Sequence, residues 1–351
     1  MWFHMTVNKE FIKKLLFELT AAGGTAGEEK EIFSVISENL PENIKTEIET
    51  KNGNMRAFIG DKNKASVLFD AHTDKIGFAV VSIDSKGFLK LAKVGGCDMR
   101  VMQGSPLIIK GERNIMGVVC NTPPHLSDGR EDRAIKEDNL WVDCGLSKKE
   151  IEKIVSIGDR AAFFSKPCEL LEDKIAAPGL DNRAGVAALI CCAHILNDMG
   201  YQGNVEFLFS SREETNGAGA ITGGFETTAS TAVAVDTSFA EQPDNLKGCN
   251  PGTLGKGTMI CYSSTLDKKV TNKLVNICEN KNIPYQKEVW TMRTGTNADK
   301  LSVSKGGIKC GLVSVPLRYM HTACEVININ DVKYTAELLA EFVISGGVKD
   351  E

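Results

Sequence analysis

The spacing of apolar residues along the chain changes twice. From Asn8 to about Leu40, FIKKLLFEL and EEKEIFSVISENL carry apolar positions at helical period on either side of the glycine-bearing AAGGTAG, which predicts helix, loop, helix. ASVLFDAH follows as a short buried strand. Between Ile76 and about Ser165 the apolar segments shorten to IGFAVVSI, FLKLAKV, SPLIIKG, IMGVVC and LWVDCGL, separated by the turn signals SKG, KGERN and SDG. Only SKKEIEKIV reads as helical in this span, so residues 76–165 predict an inserted β-rich domain of about ninety residues.

After APGLDNRAG the longer periods return. A helix is expected at GVAALICCAHILNDMG, a strand at NVEFLFS, a glycine-rich turn at NGAGAITGG and a strand at TAVAVD. A helix at TLDKKVTNKLVNICENK, a strand at IKCGLVSVP and a terminal helix at DVKYTAELLAEFVISG complete the pattern. Apolar strands alternating with helices predict an α/β fold, with a mostly parallel sheet covered by helices on both faces. Residues 1–75 and 166–351 form this main domain, and its site is expected outside the carboxyl ends of the strands.

Composition narrows the function classes. The 351 residues exceed the usual size of one hydrophobic core, and 42% apolar with 25% charged residues is ordinary for a globular protein. A net charge of -5 with no basic stripe speaks against a nucleic-acid partner. The longest apolar run, AGVAALICCAHIL, is too short to span a bilayer, so no membrane role is expected. MWFHMTVNKEFIKKLL lacks the pattern of a secretory signal, and the eleven cysteines are odd in number and never spaced CxxC. Both point to a cytoplasmic chain with reduced thiols.

Several strands end in side chains that can bind a metal. Glu213 and Glu214 follow the apolar run FLFS; His72 ends VLFDAH, Asp236 ends TAVAVD and His321 follows VSVPLRYM, while Asp181 opens a helical pattern. Two histidines and several carboxylates without a thiolate suit zinc, cobalt or manganese. In extended chain, Asp74 shares a face with His72 and can reach its far ring nitrogen. Each residue also has a plain reading: Asp181 as a helix N-cap, Asp236 as a turn residue, His72 and His321 as ordinary histidines, the glutamates as solvated loop charges. Two carboxylates at the mouth of a buried strand repel each other unless a cation is present, and one Glu as ligand with the other as base resolves the repulsion.

In this order, DAHTDKIGF, GLDNRAGV, SSREETNGAGA, AVDTS and RYMHT resemble the metal and catalytic motifs of the TET-type aminopeptidases. That family includes bacterial glutamyl aminopeptidases and proteins once labelled endoglucanases. The resemblance spans nearly the whole chain and implies a zinc-aminopeptidase-like fold with two divalent ions per subunit, zinc or cobalt, with manganese as a further option. It places His72 and Asp236 on one ion and Glu214 and His321 on the other, with Asp181 bridging, Glu213 as general base and Asp74 as orienting acid. MRTGTNADKLSVSKGG resembles the substrate-side loop and brings in Arg293, Gly295, Thr296 and Asn297. Two positions depart from the family pattern: Asn297 stands where an aspartate is usual, and Lys75 where a glutamate is common. The resemblance also implies short peptide substrates and a homo-oligomer, built from dimers joined through the inserted domain and able to reach a tetrahedral dodecamer.

Other chemistry competes. A glycoside hydrolase using Glu213 and Glu214 would need carboxyls about 5 to 5.5 Å apart or more across the bond, whereas adjacent strand residues point to opposite faces. That reading also leaves both histidines and both aspartates without a role. A dimetal deacylase or carboxypeptidase shares the same donor set, and a non-catalytic metal-bound scaffold would have no use for Glu213.

Overall fold

Strand-forming runs of buried residues dominate the middle of the computed structural model, which describes residues 6–49, 51–126, 134–243 and 251–348. The SDG turn at 127–129 lies outside these residues. Helices α1 (Lys9–Ala21) and α2 (Lys30–Asn39) open the chain, and Asn8 caps α1 by accepting the Phe11 N–H. Strands β1 (Lys45–Ile48), β2 (Met55–Ile59) and β3 (Val67–His72) follow, and every residue of β3 is buried.

Six strands then close into a separate barrel: β4 (Gly77–Ile83), β5 (Leu89–Val94), β6 (Pro106–Lys110), β7 (Asn114–Val119), β8 (Trp141–Asp143) and β9 (Arg160–Phe163). Barrel closure pairs every edge, so these short strands need no covering helix. Their own apolar cluster, including Phe78, Leu91, Leu107 and Val142, fills the inside. Within SKKEIEKIV only one turn is helical, α3 (Lys148–Ile151), held by a capping box between Ser147 and Glu150.

The chain returns through β10 (Cys168–Leu170) and β11 (Lys174–Ala177) to α4 (Leu180–Asp198), β12 (Val205–Ser210), α5 (Ala218–Glu226) and β13 (Thr231–Phe239). Then come β14 (Thr258–Ser263), α6 (Lys268–Lys281), β15 (Tyr285–Trp290), α7 (Ala298–Leu301), β16 (Lys309–Leu317), β17 (Glu325–Asn328) and α8 (Ile329–Ile344). The main sheet has eight strands in the order β1-β2-β12-β3-β13-β16-β14-β15, and β10-β11-β17 form a smaller one. The central strands β12, β3, β13 and β16 are parallel to one another, as are β14 and β15. The pairings β1–β2, β2–β12 and β14–β16 are antiparallel. Helix α4 packs on β3 and β13 with α1 and α8 beside it, and almost all of its side chains are buried. Among the described residues no helix is long and apolar enough to cross a membrane, and the ten described cysteines are free.

Two expectations are corrected. NGAGAITGG is not a turn: from Ala218 it forms α5. Its glycines serve close packing, because a Cβ on Gly219 would sit 2.4 Å from the Ser211 backbone, and one on Gly223 would sit 2.4 Å from Leu208. TAVAVD does not end its strand at Asp236; β13 runs on to Phe239, its register with β16 continuing to Leu317.

Candidate metal and catalytic site

The parallel strands carry residues from their C-terminal halves to one end of the sheet. The β12–β3 register sets Ser210 beside His72, and the β13–β16 register sets Asp236 beside Ser314. Asp181 reaches the same place by leaving the helix. Its φ and ψ (-78°, 108°) are not helical, the peptide to Asn182 is cis, and Asn182 does the capping by accepting the Gly185 N–H at 3.0 Å. The N-cap reading of Asp181 therefore passes to Asn182. A second bond, from Asn182 Nδ2 to the Val235 carbonyl at 2.7 Å, ties this corner to β13.

Freed from capping, the Asp181 carboxylate presents one oxygen to each histidine. Oδ1 lies 3.2 Å from His72 Nε2 and Oδ2 lies 3.5 Å from His321 Nε2. Asp236 Oδ1 approaches His72 Nε2 at 3.6 Å and Glu214 Oε2 approaches His321 Nε2 at 3.5 Å. The result is two groups of potential ligand atoms within 4.8 Å of one another, His72–Asp181–Asp236 and Asp181–Glu214–His321, sharing Asp181. Asp181 Oδ1 and Glu214 Oε1 are buried without a well-directed hydrogen bond, as expected where a cation belongs.

Backbone carbonyls set the imidazoles. His72 Nδ1 is 3.1 Å from the Asp74 carbonyl oxygen, and His321 Nδ1 is 2.9 Å from that of Gly96. A carbonyl accepts the Nδ1 proton, which turns each Nε2 toward the carboxylates. The Asp74 carboxylate faces the same nitrogen, with Oδ1 3.5 Å from His72 Nδ1. That carboxylate also accepts the backbone N–H groups of Glu213 at 2.9 Å and Glu214 at 3.0 Å. Glu325, not singled out in the sequence, acts likewise on the other side: Oε2 accepts the Asp181 N–H and Oε1 the His321 N–H. The signal available for it was a glutamate opening the apolar EVIN strand.

The packed charges perturb one another. Burial and the neighbouring carboxylates push Glu213 up to about 8, against the pull of His72, and raise Glu214 well above its ordinary value. Asp181 goes the other way, because the two histidines outweigh its burial and hold it low. Burial lowers His321, but Asp181 and Glu214 overcome that and bring it up to about 9.

A cavity of about 460 Å³ opens over the cluster, lined by all five potential ligands and by Glu213. A second, of about 640 Å³, shares Glu213, Gly295 and Thr296 with it and adds Arg293, Asp299 and Lys300. Of the loop residues expected on the substrate side, Gly295 and Thr296 line both and Arg293 only the second. Asn297 lines neither. It is buried at the start of α7, donating to Asp70 Oδ2 and Ser210 Oγ at 2.9 Å each, and burial raises Asp70 to about 7. Lys75 is also turned away from the cavity, its Nζ donating to the Thr20 and Ala22 carbonyls.

Comparison with known proteins bears on the fold and the family. Residues 53–338 match the family M42 glutamyl aminopeptidase. A lysyl aminopeptidase of Pyrococcus furiosus is 30% identical over 95% of both chains. An aminopeptidase from the archaeon Desulfurococcus kamchatkensis has the same fold at a TM-score of 0.89 and 27% identity, covering 96% of each chain. The Pyrococcus horikoshii TET1 peptidase, described as assembling into a tetrahedron or a large octahedral shell, has a TM-score of 0.84 and 28% identity over 94% of this chain and 98% of its own. With most of its length matched and its carboxylates and histidines gathered at the strand ends, the chain belongs to the M42 glutamyl aminopeptidase family and is a peptide-bond hydrolase of the aminopeptidase type.

Proposed function

We propose that the protein is a two-metal aminopeptidase that removes N-terminal residues from short peptides. The observation that carries this reading is Asp181, whose two oxygens face different histidines and so join two three-residue groups into one site. His72 and Asp236 would hold one divalent ion and Glu214 and His321 the other, with Asp181 shared. The oxygen and imidazole donors suit zinc or cobalt, with manganese also compatible. Metal ions held there would supply Lewis-acid polarisation of a carbonyl and a lowered pKa for water.

The chain's own residues do the rest. Glu213 lines the cavity yet belongs to neither group, which leaves its carboxylate free to take the proton of the attacking water and pass it to the departing amine. Asp74 fixes where that carboxylate sits by holding the backbone of Glu213 and Glu214. The two adjoining cavities give the peptide a path on either side of Glu213, with Gly295 and Thr296 between them.

Residues 76–165 we read as the unit through which copies pair, in a homo-oligomer of dimers with the tetrahedral dodecamer as its closed form. The catalytic reading is tested with Glu213→Gln. The variant should hold its metal ions with unchanged stoichiometry and lose at least about a hundredfold in kcat, as expected for a general base. Unchanged turnover would remove Glu213 from this role.

A further inference from the structure

Besides Glu213, the catalytic cavity is lined by a second carboxylate outside the cluster. Glu288 projects from β15 into the cavity wall, is only 6% exposed, and belongs to neither three-residue group. Its Oε1 accepts the Ser238 hydroxyl, while Oε2 is buried with no hydrogen-bond partner, although the Trp290 indole is near enough to favour the charged form. Burial still pushes its carboxyl above the ordinary value. Two further oxygens in the same wall, Thr237 Oγ1 and Ser314 Oγ, are likewise buried and unpartnered. A buried carboxylate with an idle oxygen is costly, and a cation arriving with the substrate would offset that cost.

The rest of the wall favours the same occupant. Among the described residues lining this cavity there is no lysine or arginine to bind an acidic side chain. Phe239 and Trp290, 52% and 37% exposed, stand 6.5 Å apart ring to ring, and Leu312 and Met320 add apolar surface. An aliphatic stem with a charged tip fits such a combination: the rings and methyl groups cover the methylenes and the oxygens take the charge. An ammonium is a donor only, and Glu288 and Ser314 offer it acceptor oxygens.

We propose that Glu288 is the specificity determinant of this site and selects peptides whose first residue carries a cationic side chain, lysine or arginine. The proposal rests on the aminopeptidase reading above. It is tested by measuring kcat/KM on lysyl, leucyl and glutamyl p-nitroanilides with the metal-loaded wild type and E288Q. Lysyl substrate should lead leucyl by about tenfold or more, with glutamyl last, and E288Q should shrink the lysyl-to-leucyl ratio by about tenfold. A wild type that prefers leucyl or glutamyl, or an E288Q ratio equal to the wild type's, overturns the role of Glu288 and leaves the aminopeptidase reading standing.

Failure to cleave any of the three would instead count against that reading, and a binding measurement on the wild type then decides the inference by itself. Calorimetry should find L-lysine bound about tenfold tighter than L-norleucine, which has the same stem without the charge. Equal binding of the two overturns the proposal.

Discussion

Glu325 Oε1 accepts the backbone N–H of His321 at 2.8 Å, and does so where the chain turns through a left-handed φ of 64° at His321. With its other oxygen on Asp181 N–H, one buried side chain sets two of the five potential ligands. Glu325→Gln would turn an N–H donor toward one of these amides. It should weaken metal binding by about tenfold to a hundredfold, read by competition with a chelator, while the fold persists. Undiminished metal affinity would show that the loop holds His321 without help.

Asp74 does the same for the glutamates. Asp74→Asn keeps one acceptor and presents an N–H to the other amide, so the backbone at Glu213 and Glu214 must shift. The expected outcome is a kcat lowered by about tenfold to a hundredfold, with metal content unchanged or slightly reduced. A kcat equal to the wild type's would leave Asp74 no positioning role.

Lys75 gives stability a pH dependence. Burial, with Arg183 and Lys110 nearby, lowers its amine from 10.5 to about 7, so above pH 7 the folded chain holds it neutral while the unfolded chain still binds the proton. Folding then releases a proton, and stability rises with pH between about 7 and 10.5. Relative to Lys75→Met, the wild type should gain up to about 1.4 kcal/mol per pH unit across that window in urea denaturation. A flat difference between the two would show that the amine stays charged when folded.

Gly219 tests the packing of α5. A methyl group there meets the Ser211 backbone at 2.4 Å, whereas at Gly306 it meets nothing within 4 Å. Gly219→Ala should cost about 1–3 kcal/mol of stability. Gly306→Ala should stay within about 0.5 kcal/mol, and the contrast is read from denaturation midpoints.

The fold was legible where burial imposes a period. β3 and β12 are buried at every position and β16 at all but its first, with mostly apolar residues, and α1, α6 and α8 show apolar stripes at helical spacing. The change to short segments after Ile76 likewise pointed to a separate β-rich unit. Strands such as β1, with all four residues exposed, and β15, YQKEVW at the far edge, carry no such period and went unmarked. In the site, residues standing at the ends of apolar runs could be named from the sequence, since the run itself shows where the chain surfaces. Glu325, which opens β17, left only a weak signal, and Glu288 inside β15 left none, because the importance of each depends on what faces it across the fold. α5 was missed for a different reason: its glycines are read locally as flexible, and only the Ser211 and Leu208 contacts reveal them as spacers.

His321 is gripped from two sides. Its imidazole leans on the Gly96 carbonyl, beyond β5 in the barrel unit, while its backbone is pinned by Glu325 in the smaller sheet. Gly96 is so close that a Cβ would lie 2.6 Å from His321 Nδ1. The pose of His321 therefore depends on the barrel unit as well as on the smaller sheet. A metal bound through His321 would thus rest on a contact that the barrel unit supplies.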